Sequence, residues 1–198
     1  MPDKPSLSNI NTLRERARHH IEDGAVVPDY LADRATVLRL LDESLATEIV
    51  CSLRYKRHYY TAHGLASLSV AEEFLEHAHQ EEQHAERFAS RISELGGAPN
   101  FSPHGLAERS HAEYVEGTSL TDMVREDLIA ERIAIESYGE IIRYLGNDDP
   151  TTRRLFEEVL AVEEEHAEDM VSLLSRIGGD DAKSQPKPRS QSQPAIHG

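Results

Sequence analysis

The chain has a single cysteine, Cys51, in 198 residues. That excludes an intramolecular disulfide and any four-cysteine iron or zinc centre within one chain. Long hydrophobic runs are missing too, since no stretch approaches the roughly 18 apolar residues that a membrane-spanning helix needs. Met1 to Asn11 holds no apolar run that could act as a signal, so a soluble cytoplasmic protein without a membrane partner is expected. Positive charge is scarce: 21 Lys and Arg stand against 36 Asp and Glu, a formal net charge of -15. Such a balance repels nucleic acid phosphates, so DNA is not an expected partner unless through Arg14, Arg16 and Arg18 near the start or Lys183, Lys187 and Arg189 near the end. The length is enough for one domain with a substantial core.

What the chain does have is helix punctuation. Residues 1 to 11 read as disordered, and the capping box Thr12-x-x-Glu15 opens a short helix that ends near Gly24. Asp29 or Asp33 starts a long helix that Gly64 stops, and Ser69-x-x-Glu72 opens a second that runs to Gly96-Gly97. The link from Gly96 to Gly117 contains Pro99 and Pro103 and reads as a long crossover, with a short helix of its own from Leu106 to Val115. Thr118 or Ser119 caps a third long helix reaching Gly146, and Asp149-Pro150 opens a fourth that ends at Gly178-Gly179. The division is an extension over 1–28, a four-helix bundle over 29–179 and a polar, disordered tail over 180–198.

Each long helix carries an apolar row at alternating threes and fours, and an acid interrupts each row. The rows are Leu38, Leu41, Leu45, Glu48, Ser52, Tyr55, Tyr59; Phe74, Ala78, Glu81, Ala85, Phe88, Ile92, Leu95; Val124, Leu128, Glu131, Ile135, Tyr138, Ile142, Leu145; and Phe156, Val159, Glu163, His166, Met170, Leu173, Ile177. Two of the acids belong to a repeated tetrapeptide, Glu81-Glu82-Gln83-His84 and Glu163-Glu164-Glu165-His166. A Glu and a His three residues apart share a helix face and can reach one metal ion. Four buried carboxylates need shared protons or cations, and two divalent ions would balance their charge. The alternative for the six residues is a set of core polar groups or structural ion pairs.

The set of Glu48, Glu81, His84, Glu131, Glu163 and His166 is known from ferritin-like di-iron and di-manganese bundles, so the match is a resemblance and not a derivation. Residues 33 to 178 resemble the bacterioferritin and Dps-like branch of the ferritin superfamily. The resemblance is carried by Ala46-Thr47-Glu48-Ile49-Val50, Gln80-Glu81-Glu82-Gln83-His84-Ala85-Glu86-Arg87, Asp127-Leu128-Ile129-Ala130-Glu131 and Glu163-Glu164-Glu165-His166. It implies an all-α ferritin-like bundle and a ferroxidase centre in which Glu81 and Glu163 bridge two irons. Glu48 with His84 would complete one iron, and Glu131 with His166 the other. It also suggests Tyr55 near the irons as a hydrogen-bond or electron donor, the alternative being an ordinary core tyrosine. Asp127, one turn before Glu131, is a candidate partner for a ligand histidine. His77 and His79 before the first motif, and His58 and His63 late in the first long helix, read as core or surface residues, the alternative being that His77, four residues before Glu81, approaches it; Cys51 reads as a small buried group.

Two departures narrow the resemblance. Bacterioferritins ligate haem through a Met directly after the Glu of the first Glu-x-x-His; Glu82 stands there, and the only methionines are Met1, Met123 and Met170, so no haem is expected. A polar tail replaces the fifth helix of 24-subunit ferritins, which favours a homo-oligomer of twelve subunits. The expected function is a ferroxidase that stores and detoxifies iron in a hollow cage, oxidising Fe(II) with peroxide or O2. Manganese fits the same ligands, and the rivals are a rubrerythrin-like peroxidase, a manganese catalase or a DNA-protecting architectural protein.

Overall fold

The protein is described by a computed structural model over residues 7–62 and 68–184, with the side chains of 178–184 left aside. Its elements among the described residues are α1 (Ile10–Arg16), a 3-10 turn (Ile21–Asp23), α2 (Arg34–Thr61), α3 (Leu68–Glu94), α4 (Leu106–Arg109), α5 (Leu120–Leu145) and α6 (Pro150–Ser184). The fold is an all-helical, ferritin-like bundle. Cross-helix pairs fix the directions: Arg34 reaches Leu95 and Ser52 reaches Ala78, so α2 and α3 are antiparallel, while Arg91 with Thr152 and Gln80 with His166 make α3 and α6 antiparallel.

Several ends follow the residues that signal them. Ser119 Oγ accepts the Asp122 amide at 3.1 Å at the start of α5, and Asp149 Oδ1 accepts the Thr152 amide at 2.9 Å at the start of α6. Both side chains satisfy an amide that a helix leaves without a partner. At the end of α3, the Gly97 amide bonds Ile92 O and the Gly96 amide bonds Ser93 O, each at 2.9 Å. This closure needs a left-handed residue, and Gly96 supplies it at φ 71°.

Other ends differ from the sequence reading. Asn9, not Thr12, caps α1 by accepting the Asn11 amide at 2.9 Å, and α1 ends at Arg16 rather than near Gly24. Ser69 lies within α3 as described (Leu68–Glu94), so its capping box is not the start signal. The crossover helix shrinks to Leu106–Arg109, because from Ser110 the chain is held in extended form against α2. The fourth helix does not stop at Gly178-Gly179 and runs to Ser184. Glycine costs a helix about 1 kcal/mol per residue but does not forbid it. His63, Gly64 and residues 185–198 lie outside the described residues.

The crossover follows α2 along its length. Asn100 donates its amide to Asp42 and His111 to Thr47, both at 2.9 Å. Further on, Arg54 Nη1 donates to Glu113 O at 2.9 Å and His58 Nε2 meets Glu116 O at 3.0 Å. Arg54 is buried, and its Nε donates to Asp127 Oδ1 at 2.8 Å, while His58 Nδ1 meets Asp127 Oδ2 at 2.8 Å. One buried network thus ties α2, α5 and the crossover.

The apolar rows form two clusters along the bundle axis. One holds Leu41, Leu45, Phe88, Tyr138, Phe156 and Val159; the other holds Tyr55, Phe74, Ala78, Val124, Met170 and Leu173. The acids that interrupt each row occupy the layer between them. Among the described residues no helix is long and apolar enough to cross a membrane.

Candidate metal centre

In that layer the bundle brings together all six Glu and His residues of the expected set, each at most 4 % exposed. Glu48 comes from α2, Glu81 and His84 from α3, Glu131 from α5, and Glu163 and His166 from α6. Two overlapping groups form, Glu48, Glu81, His84 and Glu163, and Glu81, Glu131, Glu163 and His166; within each, one donor atom per residue lies within 4.8 Å of all the others. Glu81 and Glu163 belong to both.

The two shared carboxylates face both histidines. Glu163 sets Oε1 2.8 Å from His84 Nδ1 and Oε2 3.2 Å from His166 Nδ1. Glu81 sets Oε2 3.4 Å from His84 Nδ1 and Oε1 3.5 Å from His166 Nδ1. These are ion-pair distances without hydrogen-bond alignment: both oxygens of Glu81 and Glu163, and both Nδ1 atoms, are buried without a hydrogen-bond partner. Six orphaned donor atoms in one buried layer are costly in a core and are what a pair of cations would satisfy.

The outer carboxylates are each held by a tyrosine. Tyr55 donates to Glu131 Oε1, and Tyr138 donates to Glu48 Oε1. The Tyr55 hydroxyl also meets His77 Nδ1 at 3.2 Å, and the His77 ring stacks on His166 with centroids 4.0 Å apart. Gln80 Oε1 accepts from His166 Nε2 at 2.6 Å, so in the neutral ring Nδ1 is the lone-pair nitrogen that faces the carboxylates.

Without a cation the layer is electrostatically strained. Burial, and then the neighbouring Glu81, push the Glu48 carboxyl well above the ordinary range, and burial with Glu48 raises Glu163. Burial opposes protonation of His84, yet the carboxylates of Glu163, Glu48 and Glu81 outweigh it and push its pKa up to about 12. His166 moves up in the same way, whereas burial and the neighbouring His166 push His77 down.

Asp127 does not lie against a ligand histidine; its partners are Arg54 and His58, because the guanidinium is the stronger claim on a buried carboxylate. Cys51 is buried between Ala112 and Ala130. Sequence reasoning missed three groups: Tyr138, Gln80 and Arg54. Tyr138 had a signal, because it follows Glu131 by the seven residues that separate Tyr55 from Glu48. Arg54 had none, since nothing local distinguishes a buried arginine from a solvated one.

Fold and donor set define a ferritin-like bundle with a candidate two-metal site. The family model of the ferritin-like domain matches residues 38–178, and the chain belongs to the ferritin superfamily, in its bacterioferritin and Dps-like branch. The bacterioferritin of Desulfovibrio desulfuricans is 28% identical over 149 residues, 73% of this chain and 79% of its own. Its crystal structure, described with a di-iron site in different catalytic states, superposes with a TM-score of 0.66 at 26% identity, over 83% of this chain and 96% of that one. A dodecameric thioferritin, the bacterioferritin-related protein of Bacteroides fragilis, gives a TM-score of 0.74 at 28% identity, over 79% of this chain and 94% of that one. The nutrient stress-induced DNA-binding protein of a Nostoc species is 30% identical over 147 residues, 72% of this chain and 79% of its own.

Proposed function

We propose that this member of an iron-storage family is a ferroxidase, and that the six buried residues hold two Fe(II) ions for oxidation by peroxide or O2. The observation that carries this is the pair of shared carboxylates, Glu81 and Glu163, each with one oxygen toward His84 and the other toward His166. Two irons held side by side supply two electrons to one oxidant molecule, so no one-electron oxygen radical need be released. Glu81 and Glu163 would be shared between the two ions, with Glu48 and His84 holding one and Glu131 and His166 the other. Oxygen and imidazole donors with open positions suit Fe(II) or Mn(II), whereas a closed tetrahedron of nitrogen and sulfur ligands would mark a structural zinc site. Tyr55 and Tyr138 keep the outer carboxylates turned inward, and Gln80 sets the His166 tautomer.

The assembly we infer is a hollow homo-oligomer of twelve subunits. Its support is the likeness to a relative described as dodecameric. DNA binding has less support, despite the name of the Nostoc relative: the net charge is -15, and Arg16 of the N-terminal basic group is engaged by Asp29 at 3.1 Å.

The test is substitution of one side of the site. Glu131→Ala or His166→Ala should weaken one metal position and slow Fe(II) oxidation, with helix content by circular dichroism retained. Unchanged oxidation kinetics in both variants would sink the assigned site.

A further inference from the structure

Beside the six-residue layer stands a second group of donors. Glu73 and His77 lie one turn apart on α3, and Asp169 lies across from them on α6, one turn beyond His166. His77 Nε2 is 3.5 Å from Asp169 Oδ2 and 3.7 Å from Glu73 Oε1. The three side chains offer one donor atom each within 4.8 Å of one another.

The tautomer of His77 makes this more than a pair of acids near a ring. A tyrosine hydroxyl has one hydrogen to donate, and Tyr55 gives it to Glu131 Oε1. The Tyr55 oxygen can then only accept from His77 Nδ1, 3.2 Å away, so Nδ1 carries the hydrogen. Nε2 is left as a bare lone pair on a side chain that is 2 % exposed, and it is aimed at two carboxylates. An acceptor facing two acceptors makes no hydrogen bond, and both separations exceed the usual 2.7–3.2 Å of an N–H···O bond. They do suit a shared cation. Two metal–ligand bonds of about 2.1 Å at a tetrahedral angle hold their donors about 3.4 Å apart. Two carboxylates and a neutral imidazole also match the charge of a divalent ion.

We propose that Glu73, His77 and Asp169 form a third divalent-cation site, taking a first-row transition metal such as Fe(II), Mn(II) or Zn(II). Its placement gives it a role. Asp169 and Glu73 have side chains 51 % and 31 % exposed, so the site opens to solvent, while His77 stacks on His166 at 4.0 Å. A cation here stands one ring away from the six-residue centre, on a side from which that centre can be filled. This role rests on the two-metal reading above; the binding itself does not.

The probe is Zn(II), soaked into crystals of the full chain and located by anomalous scattering at the zinc edge. The expected result is a peak among Glu73, His77 and Asp169 in the unmodified protein. That peak should vanish in Asp169→Asn and in Glu73→Gln, both at partly exposed positions, while peaks within the six-residue centre persist. No peak at the three residues in the unmodified protein, or a peak that survives both substitutions, overturns the proposal. An empty six-residue centre beside a filled third site would overturn the two-metal reading and leave this site standing.

Discussion

Tyr138 on α5 donates its hydroxyl hydrogen to Glu48 on α2, and the same bond runs the other way from Tyr55 on α2 to Glu131 on α5. Each tyrosine stands seven residues after one outer carboxylate and holds the other. The two helices are therefore pinned to one another by carboxylates of the candidate metal centre, and each pin should matter to one half of it.

Tyr138→Phe should leave Glu48 Oε1 buried without its donor, at a cost of about 1–3 kcal/mol in the metal-free protein. The position completed by Glu48 and His84 should bind metal more weakly, while that of Glu131 and His166 holds. Urea unfolding and a Co(II) titration followed by visible absorbance would check both. Equal weakening of the two positions would mean that the tyrosine acts on the whole layer.

The pH dependence of the metal-free protein follows from the raised groups. Glu163 has a folded pKa above its ordinary value, so its ionisation destabilises the fold once pH passes the unfolded carboxyl pKa. His84, pushed up to about 12, contributes fully below the unfolded histidine pKa and less as pH rises above it. Both lower metal-free stability as pH climbs from about 5 to 8. Bound metal replaces those protons, so the gain in melting temperature on adding Zn(II) or Mn(II) should grow over the same interval. A gain that is flat or falls with pH would contradict the electrostatic description of the layer.

Arg54→Met should cost about 3–5 kcal/mol, because Asp127 would be left as a buried charge beside His58 without its guanidinium partner. The double change Arg54→Met with Asp127→Asn should recover part of the loss. Hydrogen exchange should show faster opening of residues 110–117, whose carbonyls at Glu113 and Glu116 are held by Arg54 and His58. Slow exchange retained there in Arg54→Met would show that other contacts hold the crossover.

Asp149 joins three parts of the chain: it caps α6, pairs with Arg91 of α3 at 3.1 Å and accepts from Tyr30 at 2.7 Å. Asp149→Ala should cost about 2 kcal/mol from the cap alone. Burial opposes its ionisation, but Thr152, Tyr30 and Arg91 outweigh it and hold the carboxyl below the ordinary range. A depressed pKa stabilises above the unfolded value and is lost as pH falls through the folded one. The stability gap between the native chain and Asp149→Ala, read by unfolding, should therefore close below about pH 4.

The rows with an interrupting acid were legible because burial in a helix has a fixed period: Glu48, Glu81, Glu131 and Glu163 each fall where an apolar residue was due, and all four are buried. Ser119 and Asp149 were legible for a related reason, since a cap acts within its own turn. The place of Ser69 within α3, the run of α6 past Gly178-Gly179 and the length of α4 were not, because a polar residue or a glycine near an expected helix end can lie within the helix or pair elsewhere. Long-range pairs left the least trace. Nothing near Arg54 foretells Asp127, 73 residues away, and the Asp127 carboxylate that spacing alone offers to a ligand histidine goes to that arginine instead.

The most direct test of the two-metal reading is anaerobic loading of the metal-free protein with Fe(II), followed by mixing with peroxide or O2 while ferric absorbance and retained iron are recorded. The expected result is rapid oxidation of about two irons per chain, as the six-donor set requires, followed by retention of many more irons per particle. Oxidation no faster than in buffer would contradict the ferroxidase reading, and two irons per chain with nothing accumulated would contradict storage in a cage.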